Sequence, residues 1–124
     1  MSANYTIGLD YGTNSVRALI VNVANGAEIA AAVWTYAHGT QGVVLSRDPN
    51  LARQHPADYL AGAAITIQQA LRQAKKNQRG FRADQIIGIG VDTTGSTSGS
   101  ARNRLNISAR IRRAWLRVRL TRQW

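Results

Sequence analysis

One amphipathic stretch constrains this chain more than any other feature. Tyr59, Leu60, Ala63, Ile67, Ala70, Leu71 and Ala74 recur at three- and four-residue spacing. That is the stripe of a helix lying on a core. His55-Pro56 opens the stretch, since proline is tolerated in a first turn. Lys75, Lys76 and Arg79 close it at the negative end of the helix dipole, and Gly80 is a plausible stop. Short β-branched runs flank it: Tyr5 to Leu9, Ser15 to Val23 and Glu28 to Tyr36 before it, Ile86 to Asp92 after it. Asn25-Gly26 is the signal of a two-residue turn between the second and third runs. Residues 39–54 carry Gly42 and Asp48-Pro49-Asn50 without periodicity and are expected to form a loop. The predicted order is therefore β-β-β-α-β. A strand that returns after a helix of this length lies parallel to the first strand. Asp10 and Asp92 then stand at the carboxyl ends of neighbouring parallel strands, the edge where open α/β sheets hold ligands.

At 124 residues there is room for one modest domain. There is no cysteine, which excludes disulfides, thiolate catalysis and cysteine-ligated zinc. His38 and His55 are the only histidines, too few for a multi-histidine metal site. No apolar run approaches the roughly 20 residues that span a bilayer. The opening MSANYTIG lacks the basic start and apolar core of a secretory signal, so a cytoplasmic location is expected, with no membrane partner. The net charge of +10 is misleading until it is located. Residues 98–124 hold eight arginines and no acid; residues 1–97 hold eight basic residues against six acids. The chain reads as two pieces that meet near Thr97.

Two segments carry chemistry. In Asp10-Tyr11-Gly12-Thr13-Asn14, Gly12 lets the backbone turn tightly and a ligand approach the main chain. Thr13, Asn14 and Ser15 add polar donors, and consecutive N–H groups make an anion-binding concavity. A carboxylate beside phosphates makes sense when a hydrated magnesium ion lies between them, so Asp10 is the candidate metal-supporting residue. Arg17 offers a charge-assisted contact to the anion. The same residues also suit an ordinary hairpin turn whose aspartate bonds its own backbone. No Gly-x-x-x-x-Gly-Lys-[Ser/Thr] occurs anywhere in the chain. In Gly88-Ile89-Gly90-Val91-Asp92-Thr93-Thr94-Gly95-Ser96 the glycines precede the strand end and open no helix, which rules out a dinucleotide fingerprint. The loop after Asp92 suits a hydroxyl-rich ligand, or is simply a solvated Ser/Thr loop. His38 and His55 read as surface or cap residues. Trp34 and Tyr36 read as packing residues.

Three stretches together resemble the FGGY carbohydrate kinase family, and within it the bacterial ribulokinases. They are IGLDYGTNSVRALIV near the N-terminus, His55-Pro56-Ala57-Asp58-Tyr59, and IGIGVDTTGST. The resemblance spans residues 5–97. It implies an α/β fold, the incomplete N-terminal part of an actin-like, ribonuclease-H-like ATPase domain. It implies ATP and Mg2+, transfer of the γ-phosphoryl group to the 5-hydroxyl of L-ribulose in arabinose breakdown, and a family that is often homo-oligomeric. By that resemblance Asp10 supports the magnesium, Gly12, Thr13 and Asn14 face the phosphates with Arg17 beside them, and Thr94, Gly95 and Ser96 line the sugar pocket. The family's general-base aspartate and second phosphate motif lie further along than any matching position here. Catalytic activity of this chain by itself is therefore not expected.

After Thr97 the likeness stops. An arginine-only bias is what an out-of-frame reading of GC-rich codons tends to produce, and residues 98–124 are expected to be frameshifted or non-native. The rival reading is a genuine basic arm that binds nucleic acid or an anionic membrane surface, with salt-sensitive affinity.

Overall fold

The computed structural model describes residues 3–48 and 50–93. The expected Thr94, Gly95 and Ser96 pocket loop and the arginine-rich tail both lie outside them.

Strands β1 (Tyr5–Tyr11), β2 (Ser15–Asn22) and β3 (Glu28–Thr35) form an antiparallel meander. Helix α1 (Pro56–Asn77) follows, then a short 3-10 turn (Ala83–Gln85) and a last strand. That strand is β6 (Ile86–Thr93), parallel to β1, which makes the sheet order β3-β2-β1-β6. The structure thus has the expected mixed α/β order. Two details differ. The β2–β3 connection is longer than a two-residue turn: the Asn22 N–H bonds the Ala27 carbonyl, and the Gly26 N–H bonds the Asn22 carbonyl. Asn22 and Asn25 side chains accept the Ala24 and Ala27 N–H groups, so side-chain bonds open the loop that a tight turn would close. The expected loop 39–54 contains a two-residue ladder, β4 (Val44–Leu45) with β5 (Ala52–Arg53).

Period-two alternation decides the core. Tyr5, Ile7, Leu9 and Tyr11 of β1 and Val16, Ala18 and Ile20 of β2 are buried beneath α1. Thr6, Gly8, Asp10 and Arg17 occupy the other face. The helix contributes Ala63, Ile67, Ala70, Leu71 and Ala74, all buried as the stripe requires. Its contacts are chiefly with β2 and β3, so among the described residues β6 is poorly covered: Ile87 is 64% and Val91 50% exposed.

The helix rides low on the sheet at Gly62. A Cβ built there would lie 2.3 Å from Val16 Cγ1 and 3.1 Å from the Trp34 ring. Thr66, fully buried one turn on, satisfies its hydroxyl by donating to the Gly62 carbonyl at 2.7 Å. At the far end, the Asn77 side chain donates to the Ile29 carbonyl of β3 at 2.9 Å. Gln78 caps the helix in an extended conformation, and the left-handed residue is Gly80, two positions further on.

Candidate phosphate-facing site

Parallel pairing of β1 with β6 places Asp10 directly opposite Asp92, on the uncovered face and at the carboxyl ends of both strands. The register sets Ile89 and Val91 opposite Ile7 and Leu9, on the same side of the sheet. Asp10 does not cap its own turn. Its Oδ2 accepts from Arg17 Nη2 at 3.2 Å across the β1–β2 pair, and both side chains are half exposed. A pair so exposed is worth roughly 0–1 kcal/mol and yields readily to a ligand. Asp92 Oδ1 accepts from the Thr93 N–H at 2.9 Å.

Between β1 and β2 the turn closes with the Gly12 N–H bonded to the Ser15 carbonyl at 2.9 Å. Gly12 has no positive φ, so the turn does not need glycine's conformational freedom. A Cβ there would approach the Ser15 carbonyl at 3.4 Å and meet nothing else.

The turn is tied down from below by side-chain bonds to which no sequence signal points. The Tyr36 hydroxyl donates to the Gly12 carbonyl at 2.9 Å, and the Tyr36 N–H to the Asn14 carbonyl at 3.0 Å. Gln54 Nε2 donates to the Thr13 carbonyl and lies 3.5 Å from that of Gly12. The Tyr59 hydroxyl in turn donates to Gln54 Oε1, and the Tyr11 hydroxyl donates to the Tyr59 carbonyl at 2.9 Å. Tyr11, Tyr36 and Tyr59 pack edge to face. Burial, and then the neighbouring Tyr59, push the Tyr11 phenol up to about 12 and the Tyr36 phenol higher still. Both are therefore firm donors at neutral pH.

His-Pro-x-Asp-Tyr acquires a physical meaning here. His55 is the helix N-cap, with Nδ1 accepting from the Ala57 N–H at 3.2 Å, in line with the cap reading. Asp58 is buried in the first turn, and both its oxygens bind His38: Oδ1 the ring Nδ1 at 2.6 Å, Oδ2 the backbone N–H at 3.0 Å. Burial pushes the Asp58 carboxyl up, but the hydrogen bonds and charge of His38 and the Ala37 N–H more than offset it and hold the group below the usual aspartate range. His38 also stacks on His55, ring centroids 3.9 Å apart and 13° from parallel. His38 is at the surface as expected, its side chain half exposed, and it also joins the end of β3 to the start of α1. Trp34 and Tyr36 pack as expected, at 6.4 Å.

The structure brings Asp10, Arg17 and the Gly12–Asn14 turn together with Asp92. Among the described residues no cluster of three or more histidine, cysteine or acidic side chains is suited to a metal. The donors that are present suit only a hydrated cation held by one or two carboxylates, the way magnesium binds. No helix among the described residues is long and apolar enough to cross a membrane.

No known protein-family model matches the chain. Individual relatives do. A ribulokinase of Vibrio parahaemolyticus is 42% identical over 93 residues, and one of Shouchella clausii 43% over 98, each covering 75% of this chain. A ribulokinase of Mycolicibacterium smegmatis is 38% identical over 103 residues, 78% of this chain. The chain spans only 16% to 17% of the length of these relatives. The crystal structure of gluconate kinase from Lactobacillus acidophilus matches the fold at TM-score 0.50 and 18% identity, covering 75% of this chain and 16% of that one.

Proposed function

From a chain whose N-terminal three quarters is homologous to the opening sixth of the ribulokinases, we propose that this segment is the first phosphate-binding part of an ATP-dependent carbohydrate kinase. One observation carries the proposal: Asp10 and Asp92 lie in register at the carboxyl ends of adjacent parallel strands, beside a turn whose carbonyls are held away from the ligand side. Asp10 would hold a hydrated magnesium ion, which neutralises phosphate charge when bound. The turn at Gly12, Thr13 and Asn14 orients the anion, and Arg17 exchanges its Asp10 partner for a phosphate oxygen. Thr94, Gly95 and Ser96 contact the sugar, L-ribulose, in the complete enzyme. Phosphoryl transfer rests on positioning and charge stabilisation from both sides of the nucleotide. This chain holds one side, so it binds without turning over. The same proposal divides the chain at Thr97 and treats residues 98–124 as foreign to the kinase.

The test is titration of the 124-residue chain with Mg·ATP, followed by amide shifts. Saturable shifts at Thr13 and Asn14 are expected, weakened about tenfold by Asp10→Asn, the factor of one charge-assisted contact. Shifts confined to other segments would overturn the assignment, as would phosphorylation of L-ribulose by the isolated chain at ordinary enzyme rates.

A further inference from the structure

We infer that Gln54 is a positioning residue for the phosphate-facing turn, acting through the carbonyls of Gly12 and Thr13 and held in register by Tyr59. The inference rests on the kinase reading above and extends it to residues outside the turn.

Peptide planarity supplies the argument. In a trans peptide the C=O of one residue and the N–H of the next point in opposite directions. Three consecutive carbonyls are held from the protein side: Gly12 by the Tyr36 hydroxyl, Thr13 by Gln54, Asn14 by the Tyr36 N–H. Holding the Gly12 carbonyl inward turns the Thr13 N–H outward. Holding the Thr13 carbonyl inward does the same for the Asn14 N–H. The concavity that faces an anion is therefore set from behind.

Chemistry also fixes which way the Gln54 amide faces. Tyr59, whose hydroxyl donates to Oε1, leaves Nε2 as the only end able to meet two carbonyls. Tyr59 belongs to the first turn of α1, its carbonyl accepts from Tyr11, and its ring packs on Tyr11 and Tyr36. Gln54 immediately precedes the His55 cap. The start of the helix and the phosphate turn are thus tied together, although more than 40 residues separate them in sequence.

Gln54→Glu is the discriminating variant. It keeps shape and the acceptor for Tyr59, removes the N–H donors, and sets a carboxylate against two carbonyls. In the 124-residue chain it is expected to weaken Mg·ATP binding about tenfold, the loss of one hydrogen bond to a held group. Hydrogen exchange at the Gly12 amide should quicken, while the core amides of Ile7 and Ile20 keep their protection. Tyr59→Phe keeps the ring and should give a smaller loss in the same direction. Unchanged affinity together with unchanged Gly12 exchange in Gln54→Glu overturns the inference. If the unsubstituted chain fails to bind Mg·ATP, the kinase reading falls separately. The exchange comparison then decides the positioning role alone: faster Gly12 exchange sustains it, equal exchange refutes it.

Discussion

Gly62 is the residue on which the packing of the helix turns. Glycine inside an exposed helix normally costs about 1 kcal/mol against alanine. Here the balance reverses, because the added methyl would enter Val16 at 2.3 Å, and Val16 is a fully buried β-branched side chain with little freedom to swing away. Gly62→Ala should destabilise the fold by about 1–3 kcal/mol, the range for overpacking, read from a urea midpoint. Val16→Ala in the same chain should recover part of that loss, since it vacates the space the methyl needs. Gly12 is the contrasting case: its φ is ordinary, and a Cβ there would meet only the Ser15 carbonyl, at 3.4 Å.

At the scale of elements, the bracket between β3 and α1 makes the fold sensitive to acid. Asp58 has its carboxyl held below the unfolded value. Its contribution to stability is therefore present above the ordinary aspartate range and lost as pH falls through its lowered folded value. Asp58→Asn should cost about 1–3 kcal/mol near neutrality, as for a buried charged hydrogen-bond partner. It should also flatten the acid limb of the stability curve below about pH 4. Denaturant titration at a series of pH values reads both effects, and an acid limb as steep as that of the unsubstituted chain would show that the pair contributes little.

At the scale of the whole molecule, β6 stands at the edge of the sheet among the described residues. Ile86–Thr93 has a partner only in β1 among the described residues, and Ile87 and Val91 are largely exposed. Such an edge recruits further strands. The chain should associate in a concentration-dependent manner, and Ile87→Lys should reduce this at least severalfold in sedimentation velocity without lowering the thermal midpoint. Much of this architecture was legible in the residues. The apolar stripe from Tyr59 to Ala74 dictates the helix, the alternation in β1 and β2 dictates which side is buried, and the helix between β3 and β6 dictates a parallel return. Asp10 and Asp92 were legible for the same reason, because strand ends follow from local patterning. What required the tertiary structure is the support beneath the turn. Gln54, Tyr36, Tyr59 and the His38–Asp58 pair act over separations of 5 to 42 residues. Hydrogen bonds of that kind leave no period in a sequence, because only the folded chain brings their donors and acceptors within reach.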